Sequence, residues 1–129
     1  MISSFLDEKR ILVTGGAGFI GGCLIRRLID QTKAKVFNLD KISYASDLSG
    51  LELNNESNRH VLLKCDLSNF TDTKEALNKS NPDLIFHLAA ESHVDRSIDN
   101  PFLFLKSNVI GTFNLLETSR IHFENLSSE

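Results

Sequence analysis

The sequence predicts an α/β protein, a parallel sheet of about four strands that is doubly wound, with helices on both faces. Apolar, strand-like runs alternate with helical patterns along the chain, the order that builds a parallel sheet. A glycine-rich segment joins the first run to the first helix, and an acid, Asp40, closes the second run.

The elements follow in order. Arg10–Thr14 is a short aliphatic run bounded by Gly15 and Gly16, and a helix follows from Phe19 to Asp30 with Ile20, Leu24 and Leu28 on one face. Lys35–Asp40 is the second strand. Residues 41–59 are polar and rich in Ser and Asn, and predict a long loop with one short helix over residues 48–53; a connection of that length in a compact domain is usually functional. His60–Asp66 is the third strand and Thr71–Lys79 the next helix, with Asp72 in its first turn, where the helix dipole favours a carboxylate. Asp83–Ala90 is nearly all apolar, as for a strand covered on both faces. Asn100 and Pro101 then open a long helix, Asn as cap and Pro at the first helical position. Phe102, Leu105, Val109, Phe113 and Leu116 recur at helical spacing, so this helix is expected to pack one stripe on the sheet, with residues 121–129 frayed.

The chain has 129 residues, enough for one domain and a core of several strands. Apolar residues make up 41% and charged residues 24%, ordinary for a globular protein. The net charge of −3, with scattered basic residues, argues against a nucleic-acid partner. No apolar run approaches the ~18 residues of a membrane span. The start has no basic segment followed by an apolar one, so a cytoplasmic location is expected. Cys23 and Cys65 lack CxxC spacing and read as reduced, largely buried thiols.

The segment Thr14–Gly21 carries two overlapping spacings, Gly16-x-Gly18-x-x-Gly21 and Gly15-x-x-Gly18-x-x-Gly21. Glycine permits the tight turn, lets backbone N–H groups approach a pyrophosphate, and lets the helix lie close to the strand. The N-terminus of the helix then points its partial positive charge at the phosphates. A strand before and a helix after supply the context that a glycine pattern needs. Asp40 lies about 20 residues beyond Gly21, the offset of the acid that binds the adenosine ribose. A carboxylate there accepts from both ribose hydroxyls and repels a 2′-phosphate, which favours NAD over NADP; Lys41 is a weak counter-signal. The pattern is that of a Rossmann-type fold. Asp66 ends the third strand at the same sheet edge, where ligands bind in open α/β folds.

Leu88–Ile98 is the most individual stretch. Ala89 and Ala90 would let the strand end lie against a flat ligand, and polar residues follow where the crevice should open. Ser92, His93 and Asp95 are too close in sequence for triad geometry, and His93 and Asp95 have no further ligands at metal spacing, so no metal is expected. His87 reads as a satisfied core histidine.

These residues carry a resemblance. Thr14–Gly21 resembles the fingerprint of the extended short-chain dehydrogenases/reductases that act on nucleotide sugars. Residues 40–45 and Leu88–Ile98, with Asn108–Thr112 and Leu115–Glu117, are similar to the dTDP-glucose 4,6-dehydratases among them. The resemblance implies NAD as cofactor, with Gly15, Gly18, Phe19, Ile20 and Gly21 at the pyrophosphate. It implies Asp40, Lys41 and Ser43 at the ribose and Asp66 and Leu67 at the adenine. Leu88, Ala89, Ala90 and Ser92 would line the nicotinamide side, Ser92 also reaching the substrate, and Ser107 would approach the cofactor. The implied chemistry is that of a lyase: oxidation of the glucose C4 hydroxyl, loss of water across C5 and C6, and hydride return to C6. A dTDP-glucose-type nucleotide sugar as partner and a homodimer are implied with it.

The family also carries a Tyr-x-x-x-Lys pair and a Thr-Asp-Glu segment after a fifth strand. The single tyrosine here, Tyr44, has Leu48 at the lysine position, and Thr-Asp-Glu does not occur. Hydride transfer needs a base for the hydroxyl proton. No catalytic residue is therefore expected within residues 1–129. They read as an incomplete, truncated NAD-binding domain without its nucleotide-sugar domain, inactive alone. The alternatives are another extended short-chain epimerase or dehydratase, or a non-catalytic nucleotide-binding module that pairs with another chain. The fourth strand would be an apolar edge, which predicts self-association.

Overall fold

The computed structural model describes residues 2–42 and 58–127. Ser43 and the expected short helix over residues 48–53 lie outside them. The elements are α1 (Ile2–Leu6), β1 (Arg10–Thr14), α2 (Phe19–Gln31), β2 (Lys35–Asp40), β3 (His60–Lys64), α3 (Phe70–Ser80), β4 (Leu84–His87), α4 (Val94–Asp99), α5 (Pro101–Phe104) and α6 (Gly111–Leu126). Between α5 and α6, Leu105–Ile110 forms a π-helical stretch. The chain divides into two compact units, residues 1–64 with 80–89, and residues 65–79 with 90–129.

The first unit holds a parallel sheet in the order β3-β2-β1-β4, with helices, and the fold is Rossmann-like. The central strands are buried because they have neighbours on both sides: Ile11, Leu12, Val13, Val36, Phe37 and Leu39 are all core. Helix α2 adds Ile25 and Leu28 to a cluster with Ile11, Val13, Ala17, Ala34 and Val36, and Leu6 of α1 packs against it. Ile25 thus takes the core position, whereas Ile20, expected on the packed face, is 69% exposed. Two arginines tie the elements together. Arg10 accepts through its carbonyl from Asp83 N–H and donates its own N–H to the Asp83 carboxylate, 2.7 Å, while its Nε donates to Ser80 O, 2.7 Å. The Arg59 guanidinium donates to the carbonyls of Ile29, Thr32 and Ala34, satisfying groups that the end of α2 leaves open.

Both outer strands are shorter than expected, and β4 is also less covered. β3 stops at Lys64, opposite Asp40, where β2 ends. β4 pairs with β1 only from Leu84 to His87, because β1 turns away at Gly15; it is an edge strand, and Phe86 is 36% exposed. A strand covered on both faces was expected there, but Leu84, Ile85 and His87 are only partly buried and Phe86 is exposed; the edge position itself is the one expected.

In the second unit the expectation about the long helix fails in two respects. Asn100 and Pro101 open it as expected, the Asn100 side chain accepting from Leu103 N–H at 3.2 Å. The apolar stripe, however, is exposed: Phe102 by 64%, Phe113 by 62% and Leu116 by 66%, with Leu105 and Val109 also open. The buried face of α6 is instead Gly111, Asn114, Leu115 and Thr118. The Asn114 amide donates to Leu67 O at 2.8 Å, and Gly111 lets Leu67 approach closely. A π-helical turn shifts the phase of the face by its extra residue per turn, which a constant helical period does not anticipate. The end of the helix does not fray where expected; it runs to Leu126, with Arg120 paired to Glu117 at 2.6 Å and Glu124 at 2.7 Å.

Candidate functional site

In the first unit the turn between β1 and α2 is held from within. Gly15 has φ +70°, its N–H donates to Leu39 O at 2.8 Å, and its carbonyl accepts from Gly18 N–H at 3.0 Å. A Cβ on Gly21 would overlap Gly15 O, and one on Gly16 would overlap the Asn38 amide and Ile25. The spacing of glycines is thus a packing requirement: α2 lies directly on the turn. Gly18 caps α2 without a side-chain hydrogen bond, and Phe19 and Ile20 in its first turn are exposed. A helix start of this kind suits an anionic group.

Asp40 is 8% exposed at the end of β2. One carboxylate oxygen accepts from Ala17 N–H at 3.0 Å and the other from Ile42 N–H at 2.7 Å. The acid therefore ties the glycine turn to the sheet. Ile42 sits at φ +56°, uncommon for a β-branched residue, and the bond to Asp40 holds it there. At the neighbouring strand end, Thr14 Oγ1 accepts from Leu88 N–H at 3.1 Å and Ala89 N–H at 3.2 Å. A Cβ on Gly15 would lie 2.7 Å from both Ala89 Cα and Ala89 N, so this peptide rests on the turn. A cradle that side chains would fill, with a strand-end carboxylate beside it, fits a dinucleotide's pyrophosphate and ribose.

The remaining expected residues lie in the second unit. Asp66 is exposed, its carboxylate accepting from Ser68 N–H at 2.9 Å. Leu67 is buried. Ala90 and Ser92 are exposed and Ser107 is half-buried. Glu91 is buried and clipped to Asn108, whose side chain accepts from Glu91 N–H at 2.8 Å and donates to Glu91 O at 2.9 Å. His93 and Asp95 are exposed. Burial pushes the Cys65 thiol up to about 11, so it stays protonated at neutral pH, while Cys23 is exposed, contrary to expectation, because it lies off the buried face of α2. Among the described residues, no three His, Cys, Asp or Glu side chains are grouped to hold a metal, and no helix is long and apolar enough to cross a membrane.

Thr14, Asn38, His87 and Asn108 were not singled out as site residues by sequence reasoning. For the first three the signal is a polar residue inside or at the end of an apolar run: Thr14 and His87 are the two partners of one hydrogen-bonded pair, and Asn38 is fully buried between Phe37 and Leu39.

Strand, glycine turn, helix and strand-end acid in this arrangement define a Rossmann-type domain of the short-chain dehydrogenase/reductase class. The profile of the GDP-mannose 4,6 dehydratase family matches residues 12–128, and the chain belongs to that family. It is 41% identical over 122 residues to a dTDP-glucose 4,6-dehydratase of Neisseria gonorrhoeae, covering 95% of this chain and 35% of that protein. It is 47% identical over 118 residues to a probable dTDP-glucose 4,6-dehydratase of Sinorhizobium fredii, covering 92% and 33%. A dTDP-glucose 4,6-dehydratase of Streptomyces venezuelae, solved with NAD, is similar with a TM-score of 0.75 and 37% identity over 84% of this chain and 35% of that one. An epimerase of Methanothermobacter thermautotrophicus gives a TM-score of 0.80 and 32% identity over 91% and 33%. The chain thus spans about a third of the length of the curated relatives it matches, an N-terminal portion of them.

Proposed function

We propose that this chain is the NAD-binding portion of a dTDP-glucose 4,6-dehydratase, a lyase component of the cytoplasm that is inactive without further sequence. The observation that carries the reading is Asp40, whose carboxylate holds the glycine turn through Ala17 and stands at the strand end where the adenosine ribose belongs. Gly15, Gly18, Phe19, Ile20 and Gly21 would hold the pyrophosphate, Asp40 and Lys41 the ribose, and Leu88 and Ala89 the nicotinamide. For the second unit the assignment rests on the resemblance: Asp66 and Leu67 toward the adenine, Ala90, Ser92 and Ser107 toward the nicotinamide, and Ser92 toward the sugar. Ser43 is assigned to the ribose on the same ground. When bound, NAD supplies a hydride acceptor for C4 of the sugar and a hydride donor for C6 once water is lost. The chain's own part is to bind and orient; the base for the C4 proton lies outside these residues.

Calorimetric titration with NAD and with NADP tests this. NAD is expected to bind the chain weakly and NADP more weakly still, with no 4-keto sugar formed from dTDP-glucose by the chain alone. Equal binding of both, or none of either, overturns the cofactor assignment, and turnover by the chain alone overturns the division of labour. The similarity to epimerases supports a second reading, a nucleotide-sugar 4-epimerase. Activity after adding a C-terminal half in trans separates the two by product. The proposal includes self-association, supported by the edge position of β4 and the exposed stripe from Phe102 to Leu116. Sedimentation equilibrium at rising concentration is expected to show a growing mass, and a constant monomer mass overturns it.

A further inference from the structure

One hydroxyl sits at the centre of the strand end beside the glycine turn. Thr14 is completely buried. Its Oγ1 takes the N–H groups of Leu88 and Ala89 at 3.1 and 3.2 Å and lies 2.6 Å from His87 Nδ1. A hydroxyl offers one proton and two lone pairs. Both backbone groups are donors, so they occupy the lone pairs. What remains for His87 is the proton, which runs from Thr14 to the ring. Nδ1 is then a bare acceptor, and the proton of the neutral ring is on Nε2. Were Nδ1 protonated, three donors would converge on one oxygen whose own proton would have no acceptor among them. Burial lowers the pKa of His87, which favours the neutral ring that this direction requires. Leu88 N–H is shared with Thr14 O at 3.2 Å, so the peptide most dependent on the hydroxyl is Ala89. That peptide is also the one that rests on Gly15.

We propose that His87 is a positioning residue for the glycine turn: it accepts the Thr14 proton at Nδ1, and Thr14 Oγ1 is thereby oriented to hold the Leu88 and Ala89 peptides against Gly15. His87 touches no ligand in this account and acts only through Thr14. The hydrogen-bond directions stand independently of any ligand; the consequence for binding rests on the NAD reading above.

The test begins with the unaltered chain. Long-range imidazole 1H–15N spectra are expected to show His87 as the Nε2–H tautomer, and an Nδ1–H tautomer overturns the proposal. His87→Leu, which cannot accept, is expected to move the Gly15, Leu88 and Ala89 amide resonances and to weaken NAD binding roughly fivefold to tenfold, the scale of one lost hydrogen bond. His87→Asn, whose carbonyl can accept the Thr14 proton, is expected to restore most of both. Thr14→Val should reproduce the His87→Leu pattern and Thr14→Ser should not. Amide resonances that stay in place in His87→Leu, or equal effects of Leu and Asn, overturn the positioning role. If the unaltered chain binds no NAD yet shows the tautomer and the amide shifts, the NAD reading fails and this network stands.

Discussion

Gly21 and the Gly15 carbonyl are in contact across the turn, and no side chain fits between them. The obstacle is backbone, which cannot swing aside as a flexible side chain would. Gly21→Ala is therefore expected to lower stability by about 1–3 kcal/mol, the usual range for an overpacked site, and to weaken NAD binding. Gly18→Ala provides the contrast, because its Cβ would lie 3.2 Å from the same oxygen. Urea denaturation of the two variants side by side reads the difference, and equal losses would contradict the packing account. Both glycines are legible in the sequence as a spacing, but the spacing does not say which of them touches backbone. Asp40 was legible in the same way. Its bond to Ala17 was not, because it links positions on opposite sides of α2 in the chain, and the local bond to Ile42 depends on a positive φ that no residue type there announces.

At the scale of elements, ends were legible where a local signal marks them. Asn100 and Pro101 mark the start of α5, and the side-chain bond to Leu103 N–H is the cap that the pair implies. Asn100→Ala is expected to cost roughly 1 kcal/mol and Asn100→Asp to retain most of it. Thermal unfolding followed by circular dichroism measures both, and an unchanged midpoint for the alanine variant would show that the cap is idle. Strand ends were less legible, since β3 and β4 stop where their partners stop and not where their own apolar runs stop. The face of α6 was misread for a related reason. Helical period predicts one continuous apolar stripe, yet the buried face is Gly111, Asn114, Leu115 and Thr118, fixed by Asn114 on Leu67 and reached through a π-helical stretch. A small and polar face looks like a solvent face until its partners are known.

For the whole molecule, the NAD reading makes stability a measure of binding. A ligand that binds only the folded chain raises its stability by about 2.7 kcal/mol at a hundredfold excess over Kd. The unfolding midpoint should therefore climb with added NAD, and much less with NADP, in parallel with the calorimetric titration. The same linkage makes the midpoint depend on chain concentration if the exposed stripe and the β4 edge pair with a second copy. The two effects are separable, since one follows the ligand and the other follows the protein.

By itself the sequence determined the class of fold, the position of the glycine turn, the acid at the end of β2 and the family. Each of these is written in a short window, because strand period, turn chemistry and the offset of an acid are local properties. Only the tertiary structure decided that β4 is incompletely covered, that the apolar stripe of the long helix is exposed, that Cys23 is open while Cys65 is buried, and that Thr14 faces His87. Those depend on which distant residues become neighbours. The pair at Thr14 and His87 joins positions 73 residues apart in the chain, and hydrogen-bond direction follows from everything that meets at one oxygen.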